Sequence, residues 1–190
     1  MTSFSAHAEV GAYSIPVRSF HWLLAAIILV AIVLGVAALG MERGTPLRVL
    51  VLTMHKSLGV TALVLIVPRI LVRIFSRAPA YAPPLSKLNH AAAGIVHFGL
   101  YALMIAMPLS GYIDSEAGKH DFTWFGLFTV PNFIAPDKAL SEAASQAHYV
   151  FAWLIGAALI AHIGGAAWHA WVKKDFVLTR MWPRWMPAGR

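Results

Sequence analysis

Nine histidines and no cysteine leave imidazole as the leading soft metal ligand of this 190-residue chain. The lack of cysteine excludes disulfides, thiolate-ligated iron–sulfur clusters and zinc ribbons. Six of the histidines, His21, His55, His97, His148, His162 and His169, fall within strongly apolar runs, where an ionisable group is costly and by default marks a function. His7, His90 and His120 lie in tails or links and read as solvated. His148 and His162 are fourteen residues apart. That step advances a helix by about 21 Å and returns to within about 40° of the same face, so one helix can serve two sites stacked across a membrane.

Depth along the apolar runs pairs these residues. His55 and His148 share an outer level, His21 and His162 an inner one, and His97 competes for the inner position. Two neutral imidazoles from different helices are what the iron of a six-coordinate b-type haem requires, so the pattern points to two haems b, one between His55 and His148 and one between His162 and either His21 or His97. A single membrane histidine is as readily an interhelical hydrogen-bonding group; four whose depths match pairwise favour ligands. A macrocycle also needs a gap between helices, and Gly35 and Gly111 stand fourteen residues after His21 and His97, at the outer level. Arg69, fourteen after His55, falls at the inner level, where a guanidinium can pair with a haem propionate. Gly156, Gly164 and Gly165 read as close-packing residues. His169 lies about 10 Å of helix beyond His162, too far for the same haem. A histidine there, reachable from lipid, suits a quinone head group that must exchange protons. Trp168, Arg73 and Arg77 are candidate neighbours.

The elements that must hold these residues are membrane helices. With 59% of residues hydrophobic and 12% charged, the composition is far from that of a soluble domain. Four runs, Phe20–Leu39, Val49–Leu71, Ala91–Ile113 and Ala147–Val172, each reach the about 20 residues needed to cross about 30 Å of hydrocarbon. The first exceeds a signal-peptide core and no cleavage site follows, so it is expected to be retained. The link from Gly40 to Arg48 is short, and Pro79, Pro83 and Pro84 forbid continuous helix between Ile74 and His90. From Asp114 to Gln146, Trp124, Phe125, Phe128 and Phe133 make a segment too apolar for a solvated loop, and its prolines break it too often to span; a lid in the interface is expected. Ten of the 15 Lys and Arg residues fall on the side of both termini, against five on the other side with six of the eight acids. The positive-inside rule then puts both termini in the cytoplasm, where Trp22, Trp168, Trp171, Trp182 and Trp185 form an interfacial belt. The net charge of +7 is thereby a signal of topology and lipid contact rather than of nucleic acid. The expected fold is an all-α membrane protein: one domain over residues 1–190, a four-transmembrane-helix bundle with both termini cytoplasmic and a partly apolar outer loop between the third and fourth helices.

The motifs Arg18-Ser-Phe-His21-Trp22-Leu, Met54-His55-Lys56-Ser-Leu-Gly59, Pro68-Arg69, His97-Phe-Gly-Leu-Tyr101, Met107-Pro108-Leu-Ser-Gly111, Trp124-Phe125-Gly126 and the series His148, His162, His169 carry a resemblance over almost the whole chain. They resemble the bacterial cytochrome b561 family of di-haem membrane proteins, and within it the superoxide:ubiquinone oxidoreductase type. The resemblance implies a four-helix bundle in the bacterial inner membrane with His21, His55, His148 and His162 as axial ligands, and with His97 and His169 near the inner haem or a quinone. The expected function is transmembrane electron transfer from periplasmic superoxide through two haems to ubiquinone. Lys56, Arg43, Arg48, Lys119 and Lys138 could draw the anion to the outer haem. The anchor cytochromes of hydrogenases and formate dehydrogenases look similar too, so a haem-bearing anchor with a partner subunit is the first alternative. A haem-free transporter with a histidine proton relay is the second, and it predicts a colourless protein.

Overall fold

Hydroxyl and carboxylate caps set where three of the four long helices begin. Helix α1 (Ile15–Leu39) follows Ser14 and carries proline in its first turn. Helix α2 (Pro46–Phe75) starts on a proline after Thr45, whose hydroxyl accepts the Arg48 amide at 3.4 Å. Ser86 caps α3 (Lys87–Ala117) by accepting the Asn89 amide at 3.2 Å, and Asp137 caps α4 (Lys138–Trp168) by accepting the Leu140 amide at 3.0 Å. A π-helical turn, His169–Lys173, continues α4 and ends at Lys174 in the left-handed region, φ 52°. This computed structural model describes residues 11–79, 86–120, 122–175 and 177–182; His7, Pro83, Pro84, Arg184, Trp185 and Arg190 lie outside the described residues.

All four helices are long and apolar enough to cross a membrane. They outrun the expected bounds most at the third link, which spans 118–137 rather than 114–146. The reason is physical. Apolarity marks the slab of lipid, whereas the polar turns of α4, with Lys138, Ser141, Glu142 and Gln146, stay helical outside it.

Within that link, β1 (Thr123–Trp124) pairs antiparallel with β2 (Phe128–Thr129). Three residues connect them, and the tight turn closed by the Leu127 amide on the Trp124 carbonyl at 2.9 Å has Phe125 and Gly126 at φ 49° and 77°, both positive. The hairpin is pinned to α2. The Phe125 amide donates to Ser57 Oγ at 2.9 Å, and Trp124 Nε1 donates to Thr61 Oγ1 at 3.0 Å. The segment expected as a lid is thus a hairpin hydrogen-bonded to a helix.

The opposite end of the bundle gathers the starts of α1 and α3, the end of α2 and the chain's last described residues. Trp22 Nε1 donates to the Met181 carbonyl at 2.7 Å, Arg18 Nη1 to that of Trp182 at 3.0 Å, and the Tyr13 amide to that of Arg180 at 3.0 Å. Helix α1 packs along α2 and α3 along α4, with a lighter joint between α2 and α3. Leu24, Ala62 and Ile66, with Ile28, Tyr101 and Met104 against them, form a small core midway along the bundle. Outward-facing apolar side chains stay open, Phe98 at 76% and Ile160 at 77% exposure, as lipid-facing surfaces do.

Candidate functional site

At the hairpin end, the rings of His55 on α2 and His148 on α4 face each other with centroids 6.1 Å apart. Each ring is held by the backbone of the neighbouring helix. His55 Nδ1 donates to the Ala31 carbonyl at 2.8 Å, and His148 Nδ1 donates to the Met107 carbonyl at 2.9 Å. A carbonyl oxygen only accepts, so in the neutral ring the proton sits on Nδ1 and Nε2 keeps its lone pair, the form a metal-ligating histidine needs. The Ser110 hydroxyl donates to the same Met107 carbonyl at 2.8 Å and lies 3.2 Å from His148 Nδ1.

Four residues after each of these carbonyls stands a glycine. A Cβ on Gly35 would lie 2.9 Å from His55 Cε1, and one on Gly111 would lie 2.9 Å from His148 Cε1. The two helical hairpins therefore repeat one arrangement of carbonyl, glycine and histidine. The expectation that these glycines open a gap for a macrocycle is modified: the group they first make room for is the neighbouring imidazole. Both also line a cavity of about 510 Å³ shared with His55, Lys56, Gly59 and His148, a volume usual for cofactor sites.

At the other level three imidazoles gather around α4. The centroids of His21 and His162 are 6.1 Å apart, and those of His97 and His162 5.3 Å. Two rings on opposite sides of one metal, bound through nitrogens about 2 Å away, have centroids about 6 Å apart, whereas rings at a tetrahedral angle lie about 5 Å apart. Both 6.1 Å pairs match the former spacing and the 5.3 Å pair falls short of it. Among the described residues no group of three or more His, Asp or Glu could hold a bare metal ion; two imidazoles per level suit an iron whose other ligands arrive with a macrocycle.

Arg69 is at this level, as expected, and its Nη2 lies 3.2 Å from His21 Nδ1. A guanidinium only donates, so here Nδ1 accepts and the neutral ring carries its proton on Nε2, the reverse of the arrangement at His55 and His148; binding iron through Nε2 requires that this contact be given up. Arg69 also lies over the Tyr101 ring, 5.5 Å from its centroid. Arg69 Nε and Arg18 Nε are buried without a hydrogen-bond partner among the described residues. Such orphaned donors fit a group that brings carboxylates to this level.

His169, the first residue of the π-turn, has its Nδ1 2.6 Å from Asp175 Oδ2. Among the described residues no hydrogen bond or ring contact joins it to His97, Arg73 or Trp168. Arg73 instead donates to the Tyr13 hydroxyl at 3.4 Å and packs over that ring, while Trp168 is 53% exposed. Arg77, His90 and His120 are exposed. Of the five expected outer cations, Lys56 is the one that lines the cavity. Arg48 donates to the Ala38 carbonyl at 3.3 Å, Lys138 pairs with Glu142 at 3.6 Å, and Arg43 and Lys119 face outward. Gly156, Gly164 and Gly165, read as close-packing residues, have open space beside them: among the described residues a Cβ on any of them would meet nothing within 4 Å. Helix register can place a small residue on a lipid-facing side as readily as on a packed one. Sequence reasoning missed Ser57, fully buried beneath the hairpin, and Asp175.

Residues 12–184 match the family model for prokaryotic cytochrome b561. The chain is 31% identical over 169 residues to cytochrome b561 homolog 2 of Escherichia coli (strain K12), covering 89% of this chain and 90% of that protein. It is 26% identical over 166 residues to cytochrome b561 homolog 1 of the same organism, covering 86% and 93%. Over 130 residues it is 28% identical to the probable superoxide oxidase CybB of Yersinia pestis, covering 68% and 73%. Paired histidines within a bundle of four apolar helices and a match over nearly the full length lead to one conclusion: this chain belongs to the prokaryotic cytochrome b561 family, multi-pass bacterial membrane proteins that use b-type haem for electron transfer.

Proposed function

We propose that the chain is a single-domain, di-haem cytochrome of the inner membrane, both termini cytoplasmic, that passes electrons from periplasmic superoxide to ubiquinone. The observation that carries this reading is the repeat of one 6.1 Å histidine pair at two levels, with α4 supplying His148 to one and His162 to the other. Those two residues are separated by about 21 Å of helix.

Bound b-type haem supplies one-electron carriage by its iron. The chain does the rest. His55 and His148 offer Nε2 because backbone carbonyls hold the Nδ1 protons. His21 and His162 hold the second level, where Arg18 and Arg69 carry donors for carboxylates. His169 offers a ring nitrogen to the quinone. Two superoxide anions each lose one electron to become dioxygen, and one ubiquinone takes the two electrons and two protons to become ubiquinol. Lys56 beside the outer pair supports attraction of an anion, and the name of the Yersinia relative supports the choice of superoxide.

The test is the reduced-minus-oxidised visible spectrum of detergent-purified protein with haem counted per chain, followed by superoxide and then a short-chain ubiquinone. A b-type spectrum at two haems per chain, reduced by superoxide and reoxidised by the quinone, is the expected result. The same spectrum without that response would turn the reading toward an anchor that serves a partner subunit; protein without haem would sink both.

A further inference from the structure

We infer that Asp175 is a positioning residue for quinone chemistry at His169, fixing the imidazole so that Nε2 alone can exchange a proton with the ligand. The inference rests on the reading of His169 as the quinone contact and adds a residue to it. In a continuing α-helix, a residue six positions on from His169 would sit about 9 Å further along and about 120° away around the axis. The π-turn and the left-handed Lys174 undo that separation. The amides of Lys174 and Asp175 both turn back to the His169 carbonyl, the latter at 3.2 Å. The carboxylate is then held at both oxygens: Oδ2 accepts His169 Nδ1–H at 2.6 Å and Oδ1 accepts the Val177 amide at 3.1 Å.

The pair is sheltered, with side chains 15% and 22% exposed, yet its surroundings open to lipid. Trp168, Trp171 and Val172, which flank His169 in the chain, are 53%, 78% and 55% exposed. Nε2 has no hydrogen-bond partner among the described residues, which leaves it for a carbonyl of a lipid-dissolved quinone. Reduction adds one electron and one proton to each quinone oxygen. The doubly protonated His169 ring gives its Nε2 proton to one oxygen and is left neutral with its proton on Nδ1. It is then recharged at Nε2 from water, which also supplies the proton of the second oxygen. The electrons come from the reduced haems of the proposed function, the Nδ1–H bond to Asp175 stays in place, and the carboxylate neither gains nor loses a proton. Holding one tautomer and one ring orientation is what a carboxylate partner does for a proton-transferring histidine.

The experiment is single-wavelength reoxidation of dithionite-reduced holoprotein by a short-chain ubiquinone, with rates taken per haem over a range of quinone concentrations. D175N keeps an oxygen for the Val177 amide but loses the charge and can reverse the tautomer. It should lower kcat about ten- to a hundredfold with less change in KM and an unaltered haem spectrum, and D175E should recover part of the rate. H169Q run alongside separates the two ideas. A wild-type rate in H169Q overturns the quinone reading itself. A slow H169Q with a wild-type D175N overturns the role of Asp175 alone. Loss of haem in both D175N and D175E, with haem retained in H169Q, makes Asp175 a folding residue and likewise overturns it.

Discussion

A side chain on Gly111 would collide with His148, since a Cβ there lies 2.9 Å from the ring's Cε1 and 3.0 Å from Nδ1. The ring cannot retreat without stretching its 2.9 Å bond to the Met107 carbonyl. Gly111→Ala and Gly35→Ala should each destabilise by about 1–3 kcal/mol through overpacking and reduce haem at the outer level. Gly164→Ala and Gly165→Ala, whose Cβ atoms meet open space within α4, should leave haem content unchanged and keep or raise stability, by up to about 1 kcal/mol. Haem per chain and thermal unfolding of the four variants check this, and full haem content in Gly111→Ala would show that the glycine is dispensable.

Two rings compete for His162 at the inner level. His21 and His162 stand 6.1 Å apart, while His97 stands 5.3 Å from His162. His21→Ala and His162→Ala should each cost one haem per chain, and His97→Ala should keep both. Pyridine haemochrome assays against protein concentration give the count; loss in His97→Ala with retention in His21→Ala would reverse the assignment.

Arg69 places a cation beside His21, with Nη2 at 3.2 Å from its Nδ1. A nearby positive charge favours the reduced form of a haem. Arg69→Leu should therefore lower one of the two midpoint potentials by on the order of tens of millivolts and leave the other near its original value. A potentiometric titration followed at the haem absorbance bands reads both. Two unshifted potentials would remove Arg69 from the inner site.

Ser57 is fully buried and accepts the Phe125 amide at 2.9 Å while donating to the Thr53 carbonyl at 2.7 Å. Ser57→Ala strands that amide beneath the hairpin, at a cost of about 1–3 kcal/mol. Trp124→Phe, which loses the bond to Thr61, should cost about 0.5–1.5 kcal/mol. Both should loosen the cover on the His55 side, and hydrogen exchange across 122–130 should quicken in Ser57→Ala more than in Trp124→Phe.

The four spans are legible in the sequence because lipid selects long apolar runs, and the histidine levels are legible because a fourteen-residue step keeps both depth and face on a helix. The juxtapositions of Gly35 with His55 and of Gly111 with His148 are not, since they depend on how far each helix is rotated against its neighbour. Asp175 escapes for another reason: a π-turn and a left-handed lysine bring it back to His169, and neither follows from hydrophobic periodicity. The early start of α4 at Lys138 escapes because polar turns outside the bilayer carry no apolar signal.

The lighter joint between α2 and α3 divides the protein into two helical hairpins, and each histidine pair at 6.1 Å takes one ring from the first hairpin and one from the second. With iron shared between them, the pairs would act as two rivets through an otherwise weak seam. Without iron between them, the two halves would be held along that seam by the lighter α2–α3 packing, so haem would act as a fastener as well as an electron carrier.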